Sequence, residues 1–263
     1  HNKKIAEIFT ARGCPNSCDF CAVKTVHGRN YRTYSLEYIK NLLQSLKQQG
    51  YKEIVIEDDN FMVNKARARK IMALLKEENL IWTEIGGIGI KQLINNDGVD
   101  KEIITEMADS GCYRIYLAVE SPDKKTLETV SKQNLFCSPD LSEKVIHYLN
   151  SVGIEVYGGF MIGFPQETIN NVKNTVNYAA HLKTKGMKYA ILFHTTPVPG
   201  TVLWQKLKNA IVGCQLDYCF ERSNYDSPHI SAKILNKKRK QLLIKANGHE
   251  LANCWESGGT WPT

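Results

Sequence analysis

The sequence predicts an α/β protein, a partial (βα)6 barrel of the TIM type with a short C-terminal loop and helix extension. Short β-rich runs alternate with amphipathic stretches about every thirty residues, which is the pattern of βα units around a parallel sheet. No seventh unit follows the helical stretch 201–210, so an open six-unit arrangement is expected rather than a closed eight-stranded one. The length of 263 residues, 43% hydrophobic and 23% charged, suits one barrel-sized domain.

The strands expected from β-branched and aromatic residues are 5–10, 53–57, 81–86, 113–119, 154–162 and 189–194. In the first helix Leu36, Ile39, Leu42, Leu43 and Leu46 share a face, Ser35 caps the start and Gly50 ends it. Asn64 and Asp100 cap the next two helices, expected over 64–78 and 100–110, and the stretches 142–149 and 168–182 supply two more. The core is expected over residues 1–211. Residues 212–263 form an extension of loop and basic helix, the latter near 232–245.

The composition narrows the function classes. No apolar run approaches the roughly 18 to 20 residues that cross a bilayer, and the start lacks a signal-peptide layout, so a cytoplasmic protein is expected. The chain begins with His1, and strand-like sequence follows almost at once, as in a fragment of a longer protein. The net charge of +7 is spread widely, and only residues 237–240 form a dense basic run, read as a solvated helix face rather than a nucleic-acid contact. Eight cysteines in a chain of this length, three of them in one loop, point to a reducing compartment and a metal site rather than a disulfide scaffold.

That loop follows the first strand and carries Cys14, Cys18 and Cys21. α/β barrels place their chemistry at such strand ends. Thiolates are soft ligands suited to zinc or iron–sulfur clusters, and the spacing C-x3-C-x2-C lets one loop wrap three corners of a cubane. Structural zinc sites close with four protein ligands, and the fourth is missing here. A zinc loop completed by a distant Cys or His is the competing reading.

With Phe20 before the third cysteine, the loop resembles the C-x3-C-x-aromatic-C motif of the radical S-adenosylmethionine (SAM) superfamily. The resemblance covers most of residues 3–201. It implies a [4Fe–4S] cluster on Cys14, Cys18 and Cys21, with SAM on the open iron beside Phe20. Reductive cleavage would then give a 5′-deoxyadenosyl radical that abstracts hydrogen from an organic substrate. It also implies that Asp58 and Asp59 receive the SAM amino group, that Glu120 and Ser121 meet the ribose, and that Lys132 approaches the SAM carboxylate. Gly163 and Pro165, in a segment similar to G-x-I-x-G-x-P, would border adenine.

The strand end 57–61, the segment 28–32 and the exit 196–201 resemble the branch often fused to a cobalamin-binding domain. The resemblance implies cobalamin on a domain upstream of His1, with methyl transfer or radical cyclisation of a small-molecule or natural-product substrate and an electron donor such as flavodoxin or ferredoxin. A tRNA or ribosomal-protein methylthiotransferase is the alternative enzyme, and a non-catalytic zinc or iron–sulfur RNA-binding module the alternative from another class. Arg29 and Arg32 are equally compatible with phosphate contact and with the surface. Cys214, Cys219 and Cys254 raise the idea of a second cluster, with free thiols the simpler reading.

Overall fold

A computed structural model of the chain describes residues 4–132, 136–213 and 220–249. Six strands, β1 (Lys4–Ile8), β2 (Tyr51–Ile56), β3 (Ile81–Gly89), β4 (Cys112–Glu120), β5 (Glu155–Ile162) and β6 (Tyr189–His194), are hydrogen-bonded side by side in chain order. Their registers are parallel, with Ile8 opposite Ile56, Ile54 opposite Trp82 and Glu84 opposite Ile115. Each expected strand is found, with ends shifted by a few residues. Cys214, Cys219 and Cys254 lie outside the described residues.

The connecting helices form where the caps were expected. In α1 (Leu36–Gln48) the Ser35 hydroxyl accepts from the Tyr38 amide, and in α2 (Lys65–Glu77) Asn64 accepts from Arg67. In α3 (Lys101–Asp109) Asp100 accepts from Ile103. Each such cap satisfies an amide that the helix leaves unpaired, and contributes about 1 kcal/mol. A short helix, α4 (Lys124–Glu128), was not anticipated and is capped by Asp123. The fifth, α5 (Pro139–Ser151), starts three residues earlier than its apolar stripe, because Pro139 stands where no helical donor is needed. Then come α6 (Ile169–Thr184), capped reciprocally by Thr168 and Asn171, α7 (Val202–Leu207) and α8 (Ala232–Asn247).

The chain divides into two compact units. The first holds residues 1–17, 23–118 and 137–157. Its core is built from the inward faces of α1 to α3 and α5 with the strands beneath them, and includes Ile39, Leu43, Ile54, Ile71, Trp82, Ile104, Leu117 and Ile146, all fully buried. Burial of each such side chain stabilises by roughly 1.5–3 kcal/mol before the entropy of ordering is counted. Within this unit β3 departs from the expected run ending at 86: its register to β4 slips between Glu84 and Ile88, and the strand continues to Gly89. The slip needs glycine. A Cβ on Gly86 would lie 2.0 Å from the Asp58 carbonyl oxygen, and Gly87 has φ +100°.

The second unit holds residues 18–22, 119–136 and 158–263. Here α6 and α8 pack against each other, burying Val172, Val176, Ala179, Leu235 and Leu243. The edge strand β6 is closed by a side chain: Asn247 accepts from the Ala190 amide at 2.8 Å and donates to its carbonyl at 2.7 Å. A paired edge offers no free ladder to another chain at that residue.

Candidate functional site

In the first unit, the end of β2 and the start of the cysteine loop are joined by two carboxylates. Asp58 is fully buried and accepts from the Thr10 amide, the Thr10 hydroxyl and the Ala11 amide. Burial raises its pKa even against these three donors. Asp59 accepts from the Gly13 amide at 2.6 Å and pairs with Nδ1 of His27 at 2.8 Å. A ring nitrogen facing a carboxylate carries the proton, so Nε2 of His27 is left to accept from Arg12 at 3.4 Å. Both acidic residues expected to face SAM thus bind the loop that leads to Cys14. No spacing pattern marks this use, because it depends on which amides converge on the strand end.

The segment 26–32 resolves in the same way. Arg32 donates to the His27 carbonyl at 2.7 Å and Arg29 to the Pro15 carbonyl at 3.3 Å, while the Cys14 amide donates to the Gly28 carbonyl. Both guanidiniums lie at the surface and brace backbone. A residue the sequence reading passed over is Glu84. It is fully buried, and burial, with nearby Asp58 and Glu57, outweighs the Gly87 and Gly86 backbone amides and raises its pKa well above the usual range. A carboxylate inside an apolar strand followed by two glycines was the available signal.

In the second unit, residues 18–22 are anchored through Asp19. Its amide donates to the Val130 carbonyl at 3.0 Å, its own carbonyl accepts from Leu203 at 2.9 Å, and its carboxylate pairs with Lys206 at 2.7 Å. Phe20 turns the other way, onto Phe164 with ring centroids 5.9 Å apart, in an apolar group with Val130, Met161 and Phe193. Above the Phe20 ring, 5.2 Å from its centroid, stands the Lys132 ammonium, ion-paired with Glu120. Burial opposes the charge on Lys132, but Glu120 together with Cys18 and Cys21 outweighs it and keeps the pKa above its ordinary value. Glu120, Lys132 and Phe20 are thus brought together, within electrostatic reach of Cys18 and Cys21.

Glu120 ends β4 at φ +64°, a left-handed conformation costly for a residue with a Cβ. Ser121 is buried, and its hydroxyl accepts from the Asp123 amide at 3.2 Å, so it shapes the turn into α4. Gly163 has φ +80° and begins the turn out of β5, with Pro165 half-buried beside it. Glu167 clasps this turn by accepting from the Gly163 and Phe164 amides at 2.7 and 3.0 Å, and Tyr225 donates to the Gly163 carbonyl from the far side. Neither Glu167 nor Tyr225 was singled out from sequence. The acidic residue four positions after Gly163 was the readable hint.

Burial, then the charge of Asp123, pushes the Glu167 pKa up to about 7, against the two amides that lower it. Unfolded, the same carboxyl ionises near 4.5. Between these values the folded state binds more protons. The group's contribution is therefore complete below about pH 4.5 and is lost as pH rises through about 7. The loss is about 3 kcal/mol, from the linkage of pKa to stability. Glu167→Gln is expected to abolish this slope, so the stability difference between wild type and variant in urea should change by that amount between pH 4.5 and 8. A constant difference would mean that Glu167 titrates normally.

Comparison with known proteins places this geometry in a family. Residues 8–179 match the radical SAM superfamily. The chain is 32% identical over 201 residues to an uncharacterized methyltransferase of Pyrococcus horikoshii, covering 75% of this chain and 41% of that protein. It is 28% identical to the cytidylyl-2-hydroxyethylphosphonate methyltransferase of Streptomyces wedmorensis, covering 76% and 37%. The chain therefore spans about two fifths of the length of these curated relatives. Among solved structures, the radical SAM methyltransferase TsrM of Kitasatospora setae, described with cobalamin and a [4Fe–4S] cluster bound, superposes with a TM-score of 0.67 at 16% identity, over 81% of this chain and 41% of that one. The six-stranded α/β fold is that of the partial (βα)6 barrel the sequence predicted. No described helix is long and apolar enough to cross a membrane. With the superfamily's pattern running through most of the chain, from the end of β1 into α6, this protein belongs to the radical SAM superfamily.

Proposed function

We propose that the chain is the catalytic core of an enzyme that cleaves SAM reductively at a [4Fe–4S] cluster on Cys14, Cys18 and Cys21. In the whole protein this would serve cobalamin-dependent methyl transfer to a small organic substrate. The observation that carries the reading is the buried Lys132 ammonium, paired with Glu120 over the Phe20 ring, its charge further favoured by Cys18 and Cys21. The donor set fits the cluster: the three thiols are partly exposed and none is in a disulfide.

When bound, the cluster supplies the electron that splits the SAM sulfonium into methionine and a 5′-deoxyadenosyl radical. The protein's part is binding and orientation. Lys132 offers a fixed cation to the SAM carboxylate, and Glu120 offers two acceptors to the ribose hydroxyls. Since the two are paired to each other here, SAM binding exchanges one ion pair for two charge-assisted contacts. Phe20, Phe164 and Met161 present apolar surface that excludes water beside them. The Gly163–Pro165 turn, held by Glu167 and Tyr225, offers backbone to adenine. Asp58 and Asp59 act at one remove by holding the loop before Cys14.

The methyl-transfer part is supported by the names of the relatives and the cobalamin part by the description of the TsrM structure, while a flavodoxin or ferredoxin donor, a cytoplasmic location and the division into a core of residues 1–211 and an extension of 212–263 are proposed from the sequence. The test is anaerobic reconstitution with iron and sulfide, then dithionite and SAM, followed by chromatography. Conversion of SAM to 5′-deoxyadenosine and methionine is expected even without substrate. A chain that keeps one stoichiometric zinc and takes up no iron overturns the reading.

A further inference from the structure

Beyond the three cysteines and the proposed SAM contacts, the Asn60 side chain reaches one of the proposed cluster ligands directly. Asn60, just past the end of β2 and 8% exposed, has its carboxamide nitrogen 3.8 Å from Sγ of Cys14, within range for a sulfur acceptor. Which end of an amide is nitrogen is ordinarily assigned rather than observed. Here a chain of bonds decides it. The Gly89 amide can only donate, so the atom it meets at 2.9 Å is Oε1 of Gln92. The other end of Gln92 is then its NH2 group, which donates to Oδ1 of Asn60 at 2.7 Å. With its oxygen held by Gln92, Asn60 directs an N–H at Cys14. The relay starts at Gly89 because β3 continues past its slip to that residue.

We propose that Asn60 is a positioning residue whose N–H bond to Cys14, oriented by Gln92 and the Gly89 amide, raises the reduction potential of the cluster. This rests on the cluster reading of the three cysteines. A donor on a ligating thiolate stabilises the more negative, reduced state, and hydrogen bonds to sulfur are among the groups that set such potentials. Packing alone would not require the bond: a side chain of equal size without a donor fills the same space.

The experiment is an EPR-monitored redox titration, without SAM, of reconstituted wild type, Asn60→Leu and Gln92→Met. Asn60→Leu keeps the volume and removes the donor. It is expected to take up the wild-type complement of iron and to be about tenfold harder to reduce at equilibrium, about 59 mV more negative for one electron. Gln92→Met frees the Asn60 carboxamide to turn and is expected to shift the potential the same way by less. If Asn60→Leu fails to fold or load iron, Gln92→Met decides alone. Variants that load fully and match the wild-type potential overturn the proposal. A wild-type chain that takes up no iron fails the cluster reading and this one with it, whereas loaded variants with unshifted potentials fail this one only.

Discussion

Replacing any one of Cys14, Cys18 and Cys21 with Ala is expected to take iron from about four per chain to near none after anaerobic reconstitution. The cubane has no spare protein ligand in this loop, so losing one thiolate leaves two irons open to water and oxidant. Iron and sulfide assays with the broad visible absorption of the cluster measure it. Cys112 and Cys137 serve as controls. Cys112 is buried, and its burial drives its pKa far up, so it remains a thiol that packs rather than ligates. Cys112→Ala and Cys137→Ala are expected to retain full iron. A cluster that survives loss of Cys14, Cys18 or Cys21 would move the metal site elsewhere.

The second large effect concerns Lys132. Replacing it with Met keeps most of the volume but leaves the Glu120 carboxylate buried without its counter-charge. Removing one partner of a buried pair costs about 3–5 kcal/mol. The expected result in urea unfolding of the apoprotein is a loss of that order. The double variant Lys132→Met/Glu120→Gln is expected to recover most of it, since no orphan charge remains. A loss below about 1 kcal/mol in the single variant would class the pair with solvent-screened surface bridges.

Much of the scaffold was legible because local chemistry dictates it. Ser35, Asn64, Asp100, Thr168 and Thr201 cap the helices they precede, and a side-chain oxygen next to an apolar periodic run is a local signal. The slip in β3 was not legible. Two adjacent glycines read as a strand end, while the close approach of Gly86 to Asp58 depends on a neighbouring strand thirty residues away in sequence. The cysteines, Phe20, Glu120 and Lys132 could be named from their motif. That Lys132 pairs with Glu120 rather than waiting free, and that Asp58 and Asp59 bind amides of the loop, were beyond reach, because a motif gives residue types and not partners. Asn60 lay inside the strand end 57–61, yet its contact with Cys14 depends on Gln92, in the short 3-10 helix that follows β3.

The backbone at Glu120 carries an evolutionary consequence. A left-handed φ at a residue with a side chain costs about 1–2 kcal/mol, a penalty that glycine alone largely escapes. Glycine at position 120 would relieve that strain but leave the buried Lys132 ammonium without its partner, a larger cost of about 3–5 kcal/mol, so stability alone already holds Glu in place. Residues 120 and 132 are therefore expected to change together in descendants or not at all.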